Sequence, residues 1–183
     1  ARGNIPIVAS KDTIVGVHPR PDERHIRRSD VLALKKVVTT EFNLEGYPDE
    51  RFLNLLNEVR PTQATLVPDP PGVLTSNAGW DTQAQSAFLK TIIPRIKSLG
   101  IRVSVFVDPV DKMVEGAADV GADRIELYTE PYAAGFHQNR DAAIAPYIAA
   151  AKLGKKLGLG INAGHDLDLH NLKIFRQTIH ELD

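Results

Sequence analysis

Short apolar, β-branched runs alternate with longer stretches of helical period along nearly the whole chain, and each run ends in or near a polar group. No other feature narrows the possible folds as far. The strand-like runs are Thr13–His18, Val37–Glu45, Gln63–Val67, Ile101–Asp108, Arg124–Tyr128 and Leu159–Asn162. Several are almost continuously apolar, as in strands covered on both faces or closed into a barrel. Helices are predicted between them. Asp81 can cap a segment in which Phe88, Ile92 and Ile96 fall four apart, and Pro94 is expected to kink or bound it. Asp108-Pro109 reads as an N-cap followed by proline at the first helical position, in a unit closed by Gly121. Asp141–Leu157 repeats the pattern up to Gly158, and shorter helices are expected near Pro48–Val59 and Leu169–Ile179.

Parallel strands need a crossover of a dozen or more residues, so this alternation predicts an α/β fold with a parallel sheet. At 183 residues the chain is shorter than the roughly 250 typical of a closed (β/α)8 barrel, and length alone favours an open sheet. The strand ends favour the barrel. His18, Glu45, Asp69 just beyond Val67-Pro68, Asp108, Glu126, and Asn162 followed by His165 would converge on one rim of a parallel barrel. Any one of them can instead cap the following helix, and Asp108 before Pro109 reads that way. His18, Glu45 and His165 do not stand in cap contexts.

Composition removes several function classes. Lys and Arg number 22 against 23 Asp and Glu, a formal net charge of −1 that gives no bulk attraction to nucleic acid. The chain has no cysteine, which excludes a disulfide scaffold, a thiolate zinc site and a cysteine nucleophile. No apolar run reaches the roughly 18–20 residues of a membrane span, and the expected setting is cytoplasmic. The segment from His18 to Arg28 carries Arg20, Arg24, Arg27 and Arg28 with His25, and guanidinium forks suit phosphate oxygens. The alternative is a solvated loop of Arg–carboxylate pairs. Gly158 to His165 places small residues beside a histidine, which would let backbone N–H groups approach an anion. His165, Asp166, Asp168 and His170 match no common zinc spacing, so no metal is expected, and His137, His170 and His180 read as surface histidines. No lysine stands at the carboxyl end of a strand, which disfavours a Schiff-base aldolase and leaves carboxylate and histidine acid–base chemistry.

Five strings carry a resemblance. Val17-His-Pro-Arg-Pro-Asp-Glu-Arg-His-Ile26, Thr40-Glu-Phe-Asn-Leu-Glu-Gly46, Leu66-Val-Pro-Asp69, Asp123-Arg-Ile-Glu-Leu-Tyr-Thr129 and Ile161-Asn-Ala-Gly-His165 together resemble the pyridoxine 5′-phosphate synthase family of vitamin B6 biosynthesis, in order and spacing from Val17 onward. The resemblance implies a TIM barrel. It also implies condensation of 3-amino-2-oxopropyl phosphate with 1-deoxy-D-xylulose 5-phosphate to pyridoxine 5′-phosphate, phosphate and water. By the same resemblance His18 and Glu45 are acid/base residues, His165 the proton donor, and Glu126 the stabiliser of the transition state. Arg20, His25 and Thr75 would bind the deoxyxylulose phosphate, and Arg2 and Asp166 the amino-ketone phosphate. No cofactor is implied, and the expected partners are the two small phosphorylated substrates and further copies of the chain, octamers in the family.

Family members also have a strand before the loop that contains Arg2 and a last strand beyond Asp183. The six strands are therefore expected to form one domain over residues 1–183 that is an incomplete barrel, with a possible join near residues 5–12. Two other readings stand beside this one: a barrel glycoside hydrolase using Glu45 and Glu126, and a phosphometabolite-binding barrel without turnover. The arginine-rich loop is unexplained by the first, and aromatic residues at 6% are few for a sugar platform.

Overall fold

The computed structural model describes residues 14–69 and 78–183. Among these residues, six parallel strands form one sheet in chain order: β1 (Ile14–Val17), β2 (Glu41–Gly46), β3 (Gln63–Leu66), β4 (Arg102–Val107), β5 (Arg124–Leu127) and β6 (Gly160–Ala163). Seven helices accompany them among the described residues: α1 (Arg28–Val37), α2 (Glu50–Val59), α3 (Ser86–Lys97), α4 (Asp111–Asp119), α5 (Glu130–Gly135), α6 (Arg140–Lys156) and α7 (Leu172–Thr178). The two outer strands, β1 and β6, line a single cavity. In a flat sheet they would lie five spacings, about 24 Å, apart. The sheet is therefore curled into an open half-barrel.

Side chains alternate across each strand, and the curl sorts them. Phe42, Leu44, Ala64, Leu66, Val103, Val105, Ile125, Leu127 and Ile161 face outward into the main core. Helix stripes cover them: Phe52, Leu56 and Val59 of α2, Leu89, Ile93 and Ile96 of α3, Val114 and Ala117 of α4, and Tyr147 and Ala151 of α6, all buried. Polar side chains fill most inward positions, Asn43 and Glu45 on β2, Gln63 and Thr65 on β3, Arg102 and Ser104 on β4, and Arg124 and Glu126 on β5, with the buried Phe106 of β4 level with Glu126. A concave wall of this kind has apolar cohesion outside and chemistry inside.

Helix ends follow local rules. Asp49 caps α2 by accepting from the Phe52 N–H at 2.8 Å, and Arg60 closes it in the left-handed region. Asn139 accepts from the Ala142 N–H at 3.1 Å to start α6. The ring of Pro94 lies inside α3 on its exposed face, so the helix continues through it rather than ending.

Four expectations need correction. The strand predicted over Val37–Glu45 begins at Glu41, because Val37 closes α1, a helix not anticipated at all. Short α5 was also unanticipated. Asp108 does not cap α4, whose N-cap is Val110; its carboxylate accepts from the Gly79 N–H at 3.0 Å. A side chain at Gly79 would overlap the backbone of Val107 and Asp108, so this chain crossing requires glycine. The last helix is shorter than Leu169–Ile179, since Asp168 Oδ1 holds the N–H groups of His170 and Asn171 in a turn at 2.7 and 3.0 Å. The possible join near residues 5–12 lies outside the described residues. Among those described, no helix is long and apolar enough to cross a membrane.

Candidate active site

The cavity inside the curl measures about 210 Å³, and its wall includes Gly16, Asn43, Glu45, Glu126, Asn162 and Gly164. Glu45 is the last inward residue of β2. It faces Gly16, where an added Cβ would come within 3.1 Å of the Glu45 Oε1, so the absence of a side chain there gives the carboxylate room. Glu126 of β5 is buried and shares this cavity. Burial first, then the nearby charge of Glu45, pushes its carboxyl up to about 8, against a hydrogen bond with Thr65. Burial also raises Glu45, while His165 and Arg20 pull it the other way. Two carboxyl groups that line one cavity and are both raised by burial resist ionising together, so the pair retains a proton at neutral pH.

The histidines stand one and two residues past their strands, on the carboxyl-end rim. His18 is lowered to about 4 by burial and by the charges of Arg20, Arg24, Arg51 and His165, so at neutral pH it is a neutral imidazole able to take a proton. His165 packs against Phe106 and Tyr128, with ring centroids at 5.8 and 5.6 Å. Its Nδ1 lies 2.5 Å from the Asp166 carboxylate, and the Thr129 hydroxyl donates to its carbonyl. Asp166 holds a left-handed backbone (φ 57°), which turns its side chain back onto the histidine. The carboxylate accepts the Nδ1 proton and leaves Nε2 as the exchanging nitrogen.

Of the residues anticipated from sequence, Glu45 and Glu126 line one cavity, and His18, His165 and Arg20 lie close enough to interact electrostatically with one another or with Glu45. Asp166 reaches the site through its side chain as well as its position in the chain. His25 is exposed farther along the loop. The arginine clamp is only partly assembled. Arg24 pairs with Asp22 at 2.8 Å, and Arg28 starts α1 and pairs with Glu58. Arg2 and Thr75 lie outside the described residues. Arg51 of α2 was not anticipated; its guanidinium donates to the Pro19 carbonyl at 3.1 Å and acts on His18. Asn43 and Thr65 were missed as well, although their spacing two residues from Glu45 and Gln63 places them on the same inner face.

A family model described as "Pyridoxal phosphate biosynthesis protein PdxJ" matches residues 7–183. The chain belongs to the PdxJ family. Its relatives include pyridoxine 5′-phosphate synthases of Cytophaga hutchinsonii, 61% identical, of Porphyromonas gingivalis, 56% identical, and of Bacteroides thetaiotaomicron, 55% identical. Each match spans 169 residues, 92% of this chain and 71% of the relative. The fold of this PdxJ-family chain is similar to that of a monomeric form of the dimeric phosphoribosylanthranilate isomerase from Thermotoga maritima. That similarity has a TM-score of 0.57 at 15% identity and covers 92% of this chain and 72% of the other. At that identity it speaks for the curled parallel architecture alone.

Proposed function

We propose that the chain is a pyridoxine 5′-phosphate synthase, condensing 3-amino-2-oxopropyl phosphate with 1-deoxy-D-xylulose 5-phosphate to pyridoxine 5′-phosphate, phosphate and water. The observation that carries this reading is that Glu45 and Glu126 line one cavity while His18, His165 and Arg20 lie within electrostatic reach of one another or of Glu45, in a PdxJ-family chain. The substrate amine attacks the sugar ketone, so the imine forms between the substrates and needs no protein lysine. Dehydration, phosphate loss and ring closure then move protons at several carbons, which calls for more than one acid–base group around one hollow. These steps call on neither a metal nor an organic cofactor.

In this reading Glu45 exchanges protons with the condensing carbons, and protonated Glu126 donates to the oxygen on which charge develops. His165 delivers a proton to a leaving oxygen through Nε2, and neutral His18 accepts one. Arg20, with His25 and Thr75, takes the deoxyxylulose phosphate, while Arg2 and the Asp166 backbone take the amino-ketone phosphate. The half-barrel is read as part of a (β/α)8 barrel in a cytoplasmic homo-oligomer. Incubation with both substrates tests the function. Pyridoxine 5′-phosphate is expected only when both are present, and its absence from the complete mixture would overturn the reading.

Two further results are expected. Glu126 must keep its proton to donate, and that proton leaves as pH rises through about 8. Turnover is therefore expected to hold up to that pH and decline above it, as a pH–rate profile of kcat would show. Asp166→Asn removes the carboxylate that orients His165. It is expected to lower kcat on the order of tenfold, with a smaller effect on KM, measured by steady-state kinetics.

A further inference from the structure

The inner wall of the sheet holds a continuous line of polar side chains below the carboxylates. The Arg102 Nε–H donates to Gln63 Oε1 at 2.9 Å, and the Gln63 Nε2–H donates to Thr65 Oγ1 at 3.4 Å. The Thr65 hydroxyl donates to Asn43 Oδ1 at 3.1 Å, and the Asn43 Nδ2–H donates to Glu45 Oε1 at 3.4 Å. Parallel register makes this possible: Gln63 is level with both Asn43 and Arg102, and Thr65 is level with Glu45. Gln63 and Thr65 are fully buried and Asn43 is 3% exposed. Three buried polar side chains on this inner face cost stability unless each is satisfied.

We propose that Arg102, Gln63, Thr65 and Asn43 form a one-way hydrogen-bond chain that holds Glu45 as the ionised base and assigns the proton of the pair to Glu126. Asn43, Gln63 and Thr65 are thus positioning residues for the reaction. The direction is fixed at the Arg102 end, since a guanidinium can only donate, and at the other end the Asn43 amide N–H donates to Glu45. Turning over Gln63 would set its N–H groups against the Arg102 guanidinium, and turning over Asn43 would set its oxygen against the Glu45 carboxylate. The single proton of Thr65 is thereby committed to Asn43. With that proton directed to Asn43, Thr65 cannot also donate to Glu126, the contact that would favour its ionised form, and Glu126 is left as the member of the pair that keeps a proton. Aligned dipoles running from a cation to an anion strengthen one another.

The other charged groups around the pair act in the same sense or lie to one side. His165 and Arg20 favour charge on Glu45, Glu41 shares Arg102 through an ion pair, and Asp183 lies on the cavity wall. This inference rests on the roles given to Glu45 and Glu126 in the proposed synthase reaction.

Thr65→Val keeps the shape and removes the hydroxyl, whereas Thr65→Ser keeps the hydroxyl and loses the methyl. If the chain operates, the valine variant loses roughly tenfold or more in kcat with KM little changed. The acid limb of its pH profile also moves upward, because Glu45 holds its charge less well. The serine variant stays within about twofold of the parent and keeps its profile. A valine variant with the parent's rate and profile would overturn the proposal, as would a serine variant impaired as much as the valine one. Carbon-13 NMR of the glutamate-labelled protein at pH 7, with Glu45→Gln and Glu126→Gln identifying the two signals, gives a reading that needs neither turnover nor a folded valine variant. Glu126 is expected protonated and Glu45 ionised. The reverse assignment would refute the chain, while lack of product with this NMR assignment intact would count against the synthase reading alone.

Discussion

Glu45→Gln is expected to lower turnover about 10²- to 10⁴-fold while leaving the fold intact, the range associated with losing a general acid–base group. The amide has nearly the same shape, and its oxygen can still accept from Asn43 Nδ2. It cannot take or return a proton at neutral pH. Stability should not suffer, because burial raises the Glu45 carboxyl and thereby disfavours its charged form in the folded state. Steady-state phosphate release and a thermal melt on the same preparation separate the two effects. An unimpaired rate would remove Glu45 from the mechanism, and a collapsed melt would show that the residue acts in folding instead.

Phe175→Ala should produce the largest loss of stability, about 3–5 kcal/mol, for removing a fully buried ring and leaving a cavity. Phe175 anchors α7 against Tyr132 and Tyr147, with ring centroids at 4.9 and 5.5 Å. The Tyr132 hydroxyl donates to the Asn171 carbonyl at 2.9 Å, and the Asn171 amide donates to the Asp166 carbonyl at 3.2 Å. The segment carrying His165 is therefore tied to this aromatic cluster. Urea unfolding is expected to show the lost stability, and kcat should fall even at temperatures where the variant is folded. A loss below about 1 kcal/mol would mean that α7 collapses into the space, contrary to the close packing described here.

Both predictions depend on placing distant residues together, and the sequence allowed this to differing degrees. The strands were legible because their outward residues, such as Leu44, Val105 and Ile125, are uniformly apolar. The carboxyl-end polar residues then followed from parallel topology. Helix α1 was not legible: Val31 is its only buried residue, its arginines read as loop, and the β-branched Val37-Val38-Thr39-Thr40 imitates a strand. Asp108 was misread because Asp-Pro has the look of a helix cap, whereas its actual partner, the Gly79 N–H, lies 29 residues away in sequence. Such a crossing leaves no local pattern. The inner polar chain did leave one. Asn43/Glu45, Gln63/Thr65, Arg102/Ser104 and Arg124/Glu126 are polar pairs at spacing two on neighbouring strands, the period of a single sheet face. Reading those runs as continuously apolar hid it.

The most direct test of whether the gathered carboxylates and histidines serve one reaction is the stoichiometry of products formed from 3-amino-2-oxopropyl phosphate and 1-deoxy-D-xylulose 5-phosphate. Pyridoxine 5′-phosphate and inorganic phosphate are expected to appear in equal amounts and at equal rates, and both should be lost together in Glu45→Gln. Phosphate release without pyridoxine 5′-phosphate, or an equal yield from that variant, would contradict it.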